Sequence, residues 1–404
     1  MAKIINRERY LDRLLLYKDK PLVKAITGIR RCGKSTLMRT FIDRLVESGV
    51  PKDRILYMKF DTFPDSEIDN DVKLWEEVSG RIEISKGSYL LFDEIQDIAG
   101  WEKKVNMMYE AGADVYITGS NTRLLRSESS TYLTGRTYEV KMYPLSFREY
   151  LEFGIDRRGN LQESLKKYKM NGGFPFIALF EEEIGADSWN ISSGIYDSIL
   201  VNDIIERYGV RDVSVVKNIF RFLMKNTGNQ TSVRSISNYL TSNGEKTHHQ
   251  TIDTYLGYLE SAYLVYRAKK YDIKAREYLR TSDKFYAADI GMRNGIVGFN
   301  YEDQSGLLEN IVFLELLARG SDVSVVSVGG GEIDFVVDKG GNKQYYQVTD
   351  NLYSPETIER EVRSLLATGD NYPKTIITDK PFELGEIRGI RVISLIDFLL
   401  EDLT

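Results

Sequence analysis

The chain has 404 residues, of which 42% are hydrophobic and 28% charged, and its formal net charge is -6. This length suffices for about two to four domains with their own cores, while no stretch approaches the ~18 consecutive apolar residues of a membrane span. The opening Met-Ala-Lys-Ile-Ile-Asn-Arg-Glu has no apolar run with a cleavage site, and the single Cys32 excludes an internal disulfide or a cysteine-rich metal centre. A cytoplasmic protein in a reducing compartment, without membrane partners, is the expectation.

The first predicted strand covers 22–27, and a helix continues from 37 onward. Between them Gly28-Ile-Arg-Arg-Cys-Gly-Lys-Ser-Thr36 has the spacing G-x4-G-K-S, and strand, glycine loop and helix together form the context in which that motif cradles a polyphosphate. Gly28 and Gly33 permit the tight turn, so that backbone N–H groups from Arg30, Arg31 and onward to Thr36 point at phosphate oxygens. Lys34 then reaches the β and γ phosphates, and the Ser35 hydroxyl is a Mg²⁺ ligand. Cys32, inside this loop, reads either as a redox switch or as a small residue filling the turn.

A second strand is predicted over 55–60 and a third over 88–93, ending in Asp93-Glu94. Strand ends of this kind face the ligand edge of a parallel sheet, where Asp93 is placed to hold Mg²⁺ through its water shell and Glu94 to polarise the attacking water. The strand over 114–118 leads into Gly119-Ser120-Asn121, polar groups suited to orienting the γ-phosphate and the water, with Asn121 catalytic. The fifth strand, 137–142, follows Gly135-Arg136. Arg136 reads as a charged finger toward a neighbouring subunit's phosphates or as a surface arginine closing a turn. Five strands with intervening helices make a mostly parallel, three-layer α/β domain over 1–150.

Residues 151–210 are helix-rich and are expected to form a lid. From 211 to 290, helices at 215–225, 232–241 and 250–262 precede a hairpin predicted from 264–268 and 277–279, which together spell a winged helix. Between Arg211 and Lys284 the charge balance is +6, leaving -12 for the rest of the chain. Lys269, Lys270, Lys274, Arg276 and Arg280 on the hairpin, and the polar 246–251 segment opening the third helix, suit DNA; a protein-interaction module is the alternative. His248 and His249 lack further ligands at metal spacing.

Over 291–404 the predicted order is helix 307–318, strands 323–326, 332–337 and 343–348, helix 355–367, strand 375–377, and a closing segment 392–400. This α/β order looks like the core of PD-(D/E)XK (restriction-endonuclease-like) nucleases, with Asp334 matching the first metal ligand. The expected Glu-x-Lys is replaced by Gln347-Val348-Thr349, which removes an anionic ligand and the catalytic cation, so a nuclease-like domain without catalysis is expected.

The phosphate loop, Leu-Leu-Phe-Asp93-Glu94-Ile-Gln, Thr-Gly-Ser120-Asn121, Leu133-Thr-Gly-Arg136 and Pro144-Leu-Ser-Phe-Arg-Glu-Tyr150 closely resemble a group of prokaryotic AAA+ superfamily ATPases with an appended C-terminal domain. The resemblance continues through Gly172-Gly173-Phe-Pro, Asp203-Ile204 with Arg207, Asp289-Ile-Gly291 and Glu332-Ile-Asp334. It implies that Lys34 and Ser35 are the Walker A lysine and metal ligand, Asp93 and Glu94 the Walker B pair, Ser120 and Asn121 sensor 1, and Arg136 an arginine finger acting in trans. It further implies ATP and Mg²⁺ as cofactors and a homo-oligomer, a ring or another assembly. No guanine-specific Asn-Lys-x-Asp run is present. The expected function is Mg²⁺-dependent ATP hydrolysis coupled to DNA binding or remodelling; the alternatives are a nucleotide-gated switch or scaffold for a protein partner without DNA, and a DNA nuclease.

Overall fold

The computed structural model describes residues 5–122, 124, 132–154, 157–272, 277–278, 282–300, 304–328, 331–380 and 385–401. The chain divides into two compact units: residues 1–143 with 261–263, and residues 144–260 with 264–404. Among the described residues no helix is long and apolar enough to cross a membrane.

In the first unit, β1 (Val23–Thr27), β2 (Ile55–Lys59), β3 (Tyr89–Asp93), β4 (Asp114–Gly119) and β5 (Thr137–Lys141) form one sheet in the order β2-β3-β4-β1-β5. Every pairing in it is parallel. Strands β1, β3 and β4 are buried along their whole length, as a sheet covered on both faces requires. The side-chain alternation shows what covers each face. Val115 and Ile117 join Leu74 and Val78 of α3 (Asp71–Arg81) and Trp101, Val105 and Met108 of α4 (Trp101–Glu110) in one core. Tyr116, of opposite pleat, instead packs its ring at a tilt against Phe41 of α2 (Lys34–Glu47), which packs with α1 (Glu8–Leu16). The result is the three-layer arrangement expected.

The second unit opens with helices, among them α5 (Leu161–Asn171) and α6 (Ser188–Ile199). Three further helices, α7 (Val213–Lys225), α8 (Val233–Ser242) and α9 (His249–Ser261), precede a small antiparallel sheet. Its order is β6-β10-β7, from β6 (Gln230–Thr231), β7 (Val265–Ala268) and β10 (Asp283–Ala287). The predicted hairpin partner is therefore corrected. Glu277 and Tyr278 form β9 and pair with β8 (Lys270–Asp272) in a different sheet, whereas β7 is matched by the more apolar Phe285-Tyr286-Ala287 run. Burial selects that partner, because Phe285, Tyr286 and Ala287 are all core residues.

The larger sheet runs β15-β16-β14-β13-β12-β11-β8-β9. It contains β11 (Val323–Val328), β12 (Gly331–Lys339), β13 (Asn342–Thr349), β14 (Lys374–Thr378), β15 (Glu386–Ile387) and β16 (Ile390–Ser394). A helix, α11 (Ser305–Ala318), precedes β11, and another, α12 (Pro355–Leu366), connects β13 to the parallel β14. The predicted helix-strand-strand-strand-helix-strand order is present, extended by two strands at each edge.

Two of the motifs in this unit are one joint. The Asp289 carboxylate caps the helix α10 (Ile290–Val297) by accepting from Met292 N–H at 2.9 Å, and its other oxygen accepts from Gly173 N–H at 2.7 Å. A Cβ on Gly291 would lie 2.0 Å from the Asn171 carbonyl oxygen, and one on Gly172, whose φ is +78°, would lie 2.3 Å from Asp289 Oδ1. Because the obstacle at Gly291 is backbone, Gly291→Ala is expected to cost about 3 kcal/mol in chemical denaturation. Gly194→Ala, with open space around its Cβ on α6, is the control and should be neutral or slightly stabilising. Equal stability of the two variants would refute the joint.

Candidate nucleotide site

Loop geometry places the phosphate-binding residues at the C-terminal edge of the first sheet. Gly28, with φ +145°, has room for no side chain, since a Cβ there would stand 2.1 Å from the Met142 carbonyl oxygen. Gly33, with φ +107°, begins α2 in a left-handed conformation that glycine adopts without strain. Arg31 takes φ +65° and is exposed, as is Thr36; Arg30 and Ser35 are half-buried. The loop is clamped from behind. The Arg7 guanidinium donates to the Cys32 carbonyl at 2.9 Å and the Tyr143 carbonyl at 2.8 Å. Cys32 itself is fully buried against Met142, and burial pushes its thiol above the ordinary range, so it fills the turn and is not poised as a redox switch.

Lys34 is buried, and its ammonium donates to the carbonyls of Gly28 at 3.1 Å and Ile29 at 3.4 Å while lying 3.3 Å from Glu94 Oε1. Burial, the largest single influence, lowers a lysine's proton affinity, but Glu94, Cys32 and Asp93 together outweigh it and keep this ammonium above its ordinary value. The complementary statement holds for Glu94: burial works to raise it, and Lys34, the Gln96 amide and Arg30 together hold it below the usual carboxylate range. Glu94 sits in the left-handed region at φ +58°, an uncommon conformation for a side chain of its size.

Asp93 ends β3 fully buried. Its oxygens accept from Thr118 Oγ1 at 2.6 Å and Tyr57 OH at 2.8 Å, and Thr118 Oγ1 in turn accepts from Glu94 N–H at 2.8 Å. Each oxygen retains a further lone pair for a metal-bound water. Gln96 Nε2 donates to Glu94 Oε2 at 2.9 Å. The lack of a side chain at Gly119 makes space for it, because a Cβ there would approach Gln96 Oε1 to 2.8 Å. Ser120 and Asn121, which follow β4, are fully buried, and among the described residues Ser120 Oγ has no hydrogen-bond partner. Tyr57, Thr118, Gln96 and Arg7 were not singled out by the sequence. Thr118 stands two residues before Ser120, on the strand adjacent to β3, an adjacency that the sequence pattern does not encode.

Arg136 is apart from this group. It lies just ahead of β5, donating to Asn106 Oδ1 at 2.7 Å and Glu110 Oε1 at 2.8 Å, over the Tyr109 ring. Arg207 belongs to the second unit, where it pairs with the buried Asp203 at 3.7 Å.

The donor set suits a Mg²⁺–triphosphate: a glycine loop with no room for a Cβ at Gly28, a buried lysine, a hydroxyl at the helix start and a buried carboxylate on the next strand but one. Comparison with known proteins agrees. Residues 20–151 match the model of an AAA domain, and residues 162–303 match a domain of unknown function. An uncharacterized protein of Haemophilus influenzae is 40% identical over 98% of this chain and 99% of its own. One from Methanocaldococcus jannaschii is 30% identical over 90% of this chain and 81% of its own. Among solved structures, a Walker-type ATPase of Pyrococcus abyssi superposes with a TM-score of 0.52 at 15% identity, covering 72% of this chain and 95% of its own. The chain belongs to one family with these Haemophilus and Methanocaldococcus proteins, and within it residues 20–151 form an AAA domain with the P-loop AAA+ ATPase fold, followed by an appended C-terminal region.

Proposed function

We propose that this protein is an oligomeric, Mg²⁺-dependent ATPase whose nucleotide state acts on DNA through the winged-helix part of the second unit. The observation that carries the ATPase reading is the convergence of Lys34, Glu94 and Asp93 at one sheet edge, with the lysine ammonium 3.3 Å from the prospective base. When bound, Mg²⁺ supplies Lewis-acid stabilisation of the phosphoryl oxygens, and Ser35 and Asp93 are the residues to hold it. Backbone N–H groups from Gly28 to Thr36 bind the phosphates. Lys34 exchanges Glu94 and the two carbonyls for phosphate oxygens, and this frees the Glu94 carboxylate to take a proton from water as that water's oxygen bonds to the γ-phosphorus. The bond from the γ-phosphorus to the β–γ bridging oxygen breaks, and ADP leaves with its negative charge. Gln96 orients Glu94 throughout, Thr118 and Tyr57 orient Asp93, and Asn121 with Ser120 faces the γ-phosphate.

DNA contact is supported by the three helices and small sheet, and by exposed Lys246, His248, His249 and Gln250 where α9 begins. Lys269 is exposed too. Against it, Lys270 is committed to Glu332 at 3.3 Å and Arg267 to Glu260 at 2.8 Å, while Lys274, Arg276 and Arg280 lie outside the described residues. Those internal ion pairs favour the second reading, a nucleotide-operated switch with a protein partner. Titrating duplex DNA at several salt concentrations separates the two. Phosphate contacts require log affinity to fall with log salt by about 0.9 per phosphate, and Lys246→Ala and Lys269→Ala should each lower that slope by about 0.9. Absent binding, or binding indifferent to salt, would leave the switch.

A further inference from the structure

In the nuclease-like part of the second unit, three carboxylates close around one nitrogen. Lys284 Nζ lies 3.0 Å from Glu309 Oε2, 2.8 Å from Glu332 Oε1 and 3.2 Å from Asp334 Oδ1, and the lysine side chain is only 5% exposed. Each acid is fixed by further partners. Tyr286 OH donates to Glu309 Oε2 at 3.1 Å and Val348 N–H to Asp334 Oδ2 at 2.9 Å, while the Gln230 amide and Lys270 hold Glu332. Glu309, Glu332 and Asp334 form a wall of a cavity of about 580 Å³ that Gln347, Thr349, Arg360 and Glu361 also line.

A nuclease of this strand order would gather a divalent cation at such carboxylates, and the residues here do not fit one. Gln347 is neutral and turns its side-chain oxygen to Asp334 N–H at 3.4 Å. Among the described residues no three acids, histidines or cysteines are arranged to hold a metal. The lone pairs a cation would need already accept from an ammonium, and a divalent ion admitted beside that ammonium would face like-charge repulsion in a buried site. Lys284 does not belong to the nuclease-like strands at all: it comes from β10, between β6 and β7.

We infer that Lys284 is the built-in cation of this domain, standing where a divalent metal would stand, so that the carboxylate set is closed to metal ions and serves to fasten the small sheet to the larger one. Electrostatics agree with the geometry. Burial, and then Asp334, work to raise Glu309, and burial works to raise Asp334, while in both Lys284 pulls the other way. Burial acts to lower Lys284, yet the Asp334, Glu309 and Glu332 charges keep it protonated far above neutrality. An acidic cluster of this size without a cation would not remain ionised in the interior.

The test is Mn²⁺ binding by electron paramagnetic resonance on the full-length, nucleotide-free chain carrying Asp93→Asn, which removes the nucleotide-site metal ligand. No saturable site is expected. Adding Lys284→Met should create one Mn²⁺ site per chain, with affinity about tenfold or more above the parent, and Asp334→Asn should abolish it again. A saturable site in the parent that Asp334→Asn removes would overturn the inference, as would a folded Lys284→Met chain that gains none. Should Lys284→Met fail to fold, the parent titration and its Asp334→Asn partner still decide. Duplex DNA incubated with wild-type protein and Mn²⁺ should remain uncut; cleavage lost in Asp334→Asn would equally refute a lysine-closed site.

Discussion

Replacing Glu94 with Gln is expected to cut ATP turnover by about 10²- to 10⁴-fold while leaving nucleotide affinity equal or higher. The side chains are nearly isosteric, so Gln at this position retains volume and can still accept a hydrogen bond through its amide oxygen, but it cannot take a proton from water. Affinity should not fall, because Glu94 is a competitor for Lys34 before nucleotide arrives. The ammonium lies 3.3 Å from Glu94 Oε1, and each strengthens the other's charged form. Neutralising the carboxylate removes that competitor and leaves Lys34 with two carbonyl acceptors and the incoming phosphates. Steady-state phosphate release and calorimetric titration with ADP and a slowly hydrolysed ATP analogue measure the two quantities separately. Unchanged turnover would remove Glu94 from the chemistry; a large loss of affinity would mean that it holds the loop in shape.

The parts of this site that the sequence disclosed are those fixed by local geometry. A glycine loop between a buried strand and a helix constrains Lys34 and Ser35 within a few residues, and an apolar strand delivers Asp93 and Glu94 to one edge through its own direction. What remained hidden depends on which strands become neighbours. Tyr57 reaches Asp93 because β2 lies beside β3, and Thr118 reaches it because β4 lies on the other side, pairings that alternation of apolar residues does not encode. The same limit explains the misassigned hairpin: 277–279 is closer in sequence to β7 than Asp283–Ala287 is, but only the latter carries the apolar face the small sheet buries. It also explains Lys284. Asp334 and the loss of Glu-x-Lys at Gln347 and Thr349 are legible in the sequence, yet the cation beside the acids lies 50 residues upstream of Asp334 on another sheet.

Arg136→Ala should lower turnover by about 10³-fold or more with nucleotide affinity nearly unchanged, and the loss should be recoverable by mixing subunits. The sheet register is the reason. Val23 pairs with Thr137 and Thr27 with Lys141 in parallel, so Arg136 stands at the start of β5 while the phosphate loop leaves the far end of β1. Four residues of strand separate the two levels, about 13 Å, and Arg136 is turned to Asn106 and Glu110 on α4. We propose that an arginine so placed acts on a neighbour's phosphates, for which it would exchange an exposed ion pair of little stabilising value. Arg136→Ala chains keep their Glu94 but offer no finger; Glu94→Gln chains offer the finger but have no base. Each alone should be nearly inactive, and mixed under conditions that permit subunit exchange they should regain a measurable share of turnover, because an intact Glu94 site then meets an intact Arg136. Absence of recovery in verified mixed oligomers would exclude action in trans, and loss of nucleotide affinity in Arg136→Ala alone would assign the residue to its own subunit's fold.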